Sequence, residues 1–324
     1  VSEDGMTMAV GRRIKIVDSW RDLPSELTGP SVALGNFDGV HLGHRQVIAD
    51  AAKAAQRLHA PLAVISFEPH PRRWFQPDAP HFRLMTLAQQ ARALEDLGVD
   101  ILYRLPFSAE LAGMSDEGFA TEVLAHGLKA RHVSAGFDIT FGKGRTGSPD
   151  RLRELGYELN FSVSIAEPIT GSEGEKCSST AVRDAIHNGD PEEAARLLGR
   201  PFSIEGEVVH GDKIGRTIGF PTANIFFADY VRPAEGIYAA RSHLPDGRVI
   251  PSVAYVGRRP TVNGIDVRLE VNLFDFDEDL YGQTLEIELV GFLRGDQKFD
   301  GLDAMKAQIA LDCARARQLL MPEF

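Results

Sequence analysis

Five short apolar runs in the first half of this chain are separated by stretches of helical spacing, and that alternation constrains the fold more than any other feature. The runs are 31–35, 62–67, 101–105, 132–136 and 161–165, and between them segments such as 45–58 and 86–97 carry Ala, Leu and Val at helical intervals. Parallel strands need long crossovers and antiparallel ones do not, so strands interleaved with helices predict a parallel sheet. The expected first domain is a doubly wound, Rossmann-like α/β unit whose ligand sits at the carboxyl ends of the strands.

The texture changes after Ala185. A short acidic helix over 191–198 runs into Gly199-Arg200-Pro201, and strand-like runs then follow one another without helices: 203–209, 236–242, 250–256, 267–274 and 284–290. Short strands broken by Gly, Pro, Asp and Asn predict a small antiparallel barrel, closed by an amphipathic terminal helix over 302–320. The expected division is a first domain at 1–186, a linker at 187–200 and a second domain at 201–324. A length of 324 residues suits two domains.

The net charge of -11 argues against a nucleic-acid partner, since a phosphate backbone requires a basic footprint. No stretch of eighteen apolar residues occurs, and the first thirty residues have no apolar signal region, so neither a membrane partner nor secretion is expected. Cys177 and Cys313 fit no metal spacing or disulfide framework. These features predict a cytoplasmic protein acting on small molecules and leave homo-oligomerisation open.

The first run leads into Gly35-Asn36-Phe37-Asp38-Gly39-Val40-His41-Leu42-Gly43-His44. Gly35 and Gly39 allow backbone to approach a phosphate, with Asn36, Phe37 and Asp38 between them. His41 and His44, three apart at the mouth of a helix, point to the same place as its N-terminal N–H groups and form an anion site. Such donors suit charge building on phosphorus as pyrophosphate leaves. A second string, Ser178-Ser179-Thr180-Ala181-Val182-Arg183, puts hydroxyls at a helix start and an Arg one turn on, a second phosphate clamp. Alone it reads more readily as an ordinary N-cap followed by an exposed Arg, and the first motif is what tips it toward phosphate.

Residues 142–147 are a literal GxGxxG, which alone suggests a dinucleotide dehydrogenase. Residues 137–141 separate that string from its strand, and the fingerprint requires a tight strand-to-helix turn; a mobile loop bringing Lys143 and Arg145 near phosphate fits better. A P-loop also fails, because five residues separate Gly136 from Gly142 and no hydroxyl follows Lys143.

In the second half, Gly211, Lys213, Gly215, Arg216 and Gly219 form a basic glycine-rich loop closing on Pro221-Thr222-Ala223-Asn224. Mobile backbone with positive charge suits a triphosphate. In an extended segment Thr222 and Asn224 share a face and offer two neutral oxygens to Mg²⁺. In 267–273 apolar and polar residues alternate, which puts Glu270 on the face away from the core.

GNFDGVHLGH with CSSTAVRDAI resembles the adenylyltransferase half of the bacterial bifunctional riboflavin kinase and FAD synthetase family. GRTIGFPTANI, Glu270 in LEVNLFDF, 279–282 and the Leu293-Arg294 to Lys298-Phe299 stretch resemble its kinase half. The resemblance implies a nucleotidyltransferase domain followed by a riboflavin kinase domain, with ATP, riboflavin and FMN as substrates and Mg²⁺ as cofactor. It implies that His41 and His44 bind ATP phosphates and stabilise the transition state, and that Arg183 holds pyrophosphate with Ser179 and Thr180. It further implies that Thr222 and Asn224 bind Mg²⁺ and ATP, that Glu270 is the general base and that Arg294 contacts flavin. Departures from the family pattern stand at Ile139, Cys177 and Gln90, the last where Lys is common. The alternatives are a monofunctional FMN adenylyltransferase with an inactive flavin-binding β domain, and a flavin-sensing module without turnover.

Overall fold

A computed structural model describes residues 13–170, 176–210, 219–226, 229–261 and 264–321. Packing divides the chain into two compact units, one comprising residues up to Ala79 with Gln90–Ile169, the other Pro80–Gln89 with residues from Thr170 onward.

The first unit contains β1 (Lys15–Val17), β2 (Ser31–Leu34), α1 (Leu42–Leu58), β3 (Leu62–Glu68) and α2 (Pro71–Phe75). After α3 (Leu87–Asp96) come β4 (Ile101–Pro106), α4 (Ala109–Gly113), and α5 (Asp116–Gly118), which continues as a π-helical stretch over Phe119–Gly127. It ends with β5 (His132–Gly136), α6 (Pro149–Glu158) and β6 (Ser162–Ala166). The sheet is parallel, in the order β1-β4-β3-β2-β5-β6. Strand order therefore reverses between β2 and β5, and the loop after β2 lies at that switch point, where sheets of this kind open a crevice.

Central strands are covered on both faces, so Val32, Ala33, Val64, Ile65, Val133 and Ala135 are all fully buried. Helix α1 covers β2 and β5 with its Val47, Ile48, Ala51, Ala54 and Ala55 stripe. The short β1, an edge strand of three residues paired with β4, escaped the sequence reading.

At the opposite end from the crevice, buried His132 bridges β5 and β6. Its Nδ1 lies 2.8 Å from Ser162 Oγ and its Nε2 2.9 Å from Ser164 Oγ. Ser162 spends its own proton on the Arg131 carbonyl, so it accepts from Nδ1–H and the neutral ring accepts from Ser164. Burial, then the charge of Arg57, holds this imidazole below its ordinary value. Its stabilising effect is complete above about pH 6.5 and is lost as pH falls through the depressed value. Urea unfolding of the wild type should weaken on acidification from about pH 7.5 to about pH 5.5, and His132→Gln should flatten that dependence.

The second unit begins with α7 (Ser179–His187) and α8 (Pro191–Leu198), which pack on each other. Strands β7 (Phe202–Val209), β8 (Ala223–Ile225), β9 (Gly236–His243), β10 (Val249–Thr261), β11 (Gly264–Leu273) and β12 (Thr284–Gly295) follow, then α9 (Leu302–Leu320). The strands close an antiparallel barrel in the order β10-β11-β8-β7-β12-β9. Alternation fills its interior: along β12, Leu285, Ile287 and Leu289 are buried while Glu286 and Glu288 are only partly so.

Residues 80–89 join this unit through backbone bonds of Arg83 with Asp229 and Val231 and through side-chain bonds of Gln89 with Ser203, Glu286 and Tyr230. Packing thus groups α7 with the barrel, whereas the motif order places it at the end of the first domain. Helix α9 is less amphipathic than its sequence suggests, since it buries only Asp312, Ala316 and Leu320 while Leu311 stays 59% exposed. A straight helix on a convex barrel wall touches it along a narrow stripe.

Candidate active sites

The loop after β2 runs through backbone that few residues tolerate: φ is +53° at Phe37, +88° at Gly39 and +43° at Val40. Left-handed conformation at a bulky residue costs about 1–3 kcal/mol and persists only where surroundings enforce it. Here the Phe37 ring is buried against Gly35, where a Cβ would stand 3.2 Å from the ring. The turn delivers His41 to the N-cap of α1, with the His44 backbone N–H donating to His41 Nδ1 at 3.3 Å. That bond places the proton of a neutral His41 ring on Nε2. The two imidazoles stack at 3.6 Å between centroids, with Phe37 tilted against His44 at 5.0 Å. The structure therefore brings together Gly35, Asn36, Phe37, Asp38, Gly39, His41 and His44 at one helix N-terminus at the switch point.

Two neighbouring features differ from the sequence expectation. The 142–147 loop is a small hairpin closed by a Phe141–Gly147 bridge, not a strand-to-helix turn. Contacts tie it to 114–116: Lys143 N–H donates to the Met114 carbonyl, Thr146 Oγ1 to Asp116, and a Cβ on Gly142 would strike the Asp116 backbone. Sequence reasoning missed an aromatic surface at the carboxyl edge. Trp74 and Phe75, 40% and 66% exposed on α2 just beyond β3, meet Phe107 beyond β4 edge-on at 6.1 and 5.8 Å. Its signal lay in Trp74-Phe75 following a strand end, where exposed aromatics are unusual.

In the second unit, Ser178 caps α7 by accepting from Ala181 N–H, and Ser179 and Thr180 open its first turn. Arg183 donates through Nε to the Phe82 carbonyl at 2.7 Å, with its guanidinium 5.5 Å above the Phe82 ring.

On the barrel, register aligns three residues across adjacent strands: Asn224 of β8 faces Glu270 of β11, which faces Tyr255 of β10. Leu269 and Val271 point inward and are fully buried, so Glu270 stands on the outer face as the alternation requires. Asn272, two residues on along the same face, donates to the Pro221 carbonyl at 2.7 Å and so fixes the backbone just before Thr222. Gly219 turns with φ +91°, while Gly211, Lys213, Gly215 and Arg216 lie outside the described residues.

Asn224 Oδ1 is buried without a hydrogen-bond partner among the described residues. A buried carbonyl oxygen with that vacancy fits a hard cation such as Mg²⁺. A cavity of about 460 Å³ opens at the start of β8, walled by Thr222, Ala223 and Tyr281 and by the acids Asp277, Glu278 and Asp279. Tyr255, which the sequence reading passed over, is held protonated by burial and then by the carboxylates of Asp296, Glu270 and Glu235.

Arg294 forks onto Asp312 of α9, with Nε 3.0 Å and Nη2 2.7 Å from Oδ2, and Gln308 donates to the same carboxylate. Removing one partner of a buried pair strands the other. Asp312→Ala should therefore cost about 3 kcal/mol in chemical denaturation, at the low end for such pairs because Arg294 reaches some solvent.

A parallel sheet with a histidine-capped helix at its switch point, together with a closed antiparallel barrel on which a carboxylate pairs across from a buried amide, is an arrangement compatible with phosphate transfer in two domains. The chain matches the FAD synthetase family over residues 23–181 and the riboflavin kinase family over 198–320. It is 38% identical to the bifunctional riboflavin kinase/FMN adenylyltransferase of Haemophilus influenzae, covering 90% of this chain and 94% of the relative. The Escherichia coli K12 protein of that name is 39% identical, over 90% and 92%, and the Pseudomonas fluorescens one 39%, over 95% and 99%. A Streptococcus pneumoniae crystal structure titled macrolide-efflux protein superposes with a TM-score of 0.85 at 33% identity, covering 94% of this chain and 99% of that one. The chain belongs to the bifunctional riboflavin kinase/FMN adenylyltransferase family. Both family domains are present, which supports the two-step reading over an adenylyltransferase with an inactive barrel. Among the described residues no helix is long and apolar enough to cross a membrane.

Proposed function

We propose that the chain phosphorylates riboflavin to FMN on its barrel and adenylylates FMN to FAD in its α/β domain, consuming ATP in each step. The functional division runs 1–186, 187–200 and 201–324, supported by family matches that end at 181 and begin at 198.

In the first step Glu270 removes the proton of the ribityl 5'-hydroxyl as its oxygen attacks the γ-phosphorus of ATP, and ADP leaves. Thr222 and Asn224 would hold Mg²⁺, which when bound neutralises phosphate charge. On the strength of the family resemblance the nucleotide lies at Thr222 and Asn224, and Arg294 on the flavin side. Register carries this reading, because it sets the candidate base across from Asn224, an amide whose oxygen is buried without a hydrogen-bond partner among the described residues.

In the second step an FMN phosphate oxygen attacks the α-phosphorus of ATP and pyrophosphate departs, so no protein nucleophile is required. His41 and His44 donate to the phosphates at the α1 N-terminus, within the loop of Gly35, Asn36, Phe37, Asp38 and Gly39. Arg183, with Ser179 and Thr180, takes the pyrophosphate on the strength of the family resemblance. The exposed aromatic surface of Trp74, Phe75 and Phe107 suits one face of the isoalloxazine ring.

Both substrates are small molecules, and free Cys177 and Cys313 fit a reducing cytoplasm. Incubation of pure protein with riboflavin and Mg-ATP, followed by chromatography of the flavins, should show FMN and then FAD. An unchanged riboflavin peak sinks the kinase half, and FMN that never becomes FAD sinks the other.

A further inference from the structure

Helix α3 sends the side chain of Gln90, only 6% exposed, to the back of the nucleotide loop. Its single amide nitrogen donates both hydrogens, one to the Asn36 carbonyl at 3.0 Å and one to the Phe37 carbonyl at 3.2 Å. The two peptide groups so held flank Phe37, the residue with φ at +53°.

A trans peptide is planar with its C=O and N–H antiparallel. Fixing the Asn36 carbonyl toward Gln90 therefore turns the Phe37 N–H away from Gln90, and fixing the Phe37 carbonyl does the same for the Asp38 N–H. Both groups belong to the loop that precedes the α1 N-terminus, where His41 and His44 stand. The local sequence does not favour this arrangement: a bulky residue in left-handed conformation relaxes unless something outside the turn restrains it. Within the turn, Val40 N–H donates to the Phe37 carbonyl at 3.2 Å.

We propose that Gln90 is a positioning residue for adenylyl transfer, acting as a two-pronged donor that sets the direction of two peptide groups in the nucleotide loop. It touches no reacting atom and works through backbone. Its requirement is for donors at that point, so a cationic Lys amine can replace it while an apolar side chain of equal length cannot.

The inference rests on the proposed adenylylation, so wild-type conversion of FMN to FAD is measured first; its absence sinks that reading and leaves the backbone geometry to be tested by ATP titration alone. Gln90→Met keeps length and helix propensity but removes both donors, and Gln90→Lys restores donation. In Gln90→Met, kcat/KM for ATP in FAD formation should fall about tenfold or more, chiefly through KM, while kcat changes less. Gln90→Lys should recover most of that loss, and phosphorylation of riboflavin should stay within about twofold of wild type in both. Calorimetric titration with ATP should show the same order of affinities in the absence of flavin. Wild-type kcat/KM for ATP in Gln90→Met overturns the proposal. So does a loss that Gln90→Lys fails to recover, or one that falls equally on both reactions alongside a lowered melting temperature, since either outcome marks a packing role.

Discussion

Glu270→Gln should abolish nearly all riboflavin phosphorylation, lowering turnover by about 10²–10⁴, while leaving riboflavin affinity close to wild type. The substitution preserves size and hydrogen-bonding reach and removes only basicity. Position makes the effect specific. Glu270 sits between Asn224 and Tyr255 in a cross-strand row, with buried Leu269 and Val271 on either side along β11, so the strand itself is not disturbed. An alkyl hydroxyl is too weak an acid to ionise before attack, so its proton must leave as the O–P bond forms, and the loss falls on turnover rather than binding. FMN supplied directly should be converted to FAD at a near-normal rate. Wild-type phosphorylation by Glu270→Gln would reduce this residue to an ordinary strand glutamate.

Much of this arrangement was legible in the sequence because it follows from period and local chemistry. The alternation of strand and helix gave the parallel sheet, and the strict pattern around Glu270 gave its outward face. What escaped was set by tertiary approach. Strands β1 and β8 have three residues each, too short to show a period, and exist because neighbours supply their bonds. Asn272 and Tyr255 carry no motif; only the folded barrel shows that one ties down Pro221 and the other flanks Glu270. Gln90 reads as a helix residue, and its fork depends on a loop more than fifty positions away in the chain. The 142–147 string shows the converse: it matches a nucleotide fingerprint by letter, yet its hydrogen bonds make it a hairpin tied to 114–116.

The second large effect is expected at His41, where two roles overlap and substitution can separate them. As N-cap its Nδ1 accepts the His44 N–H, and in the proposed adenylylation its Nε2–H would donate to phosphate. His41→Ala removes both, and loss of the cap alone costs about 0.5–2 kcal/mol of stability. His41→Asn retains a good capping oxygen but lacks a donor at the imidazole's reach. If the histidine serves catalysis, FAD formation from FMN should drop by about 10²–10³ in both variants, the scale of losing one preorganised donor to a charged transition state. Only His41→Ala should also melt at a lower temperature. Riboflavin phosphorylation should persist in both, because Glu270, Thr222 and Asn224 belong to the barrel. An Asn variant that restored FAD synthesis along with stability would assign His41 to capping alone, and His44 would be left as the donor to test.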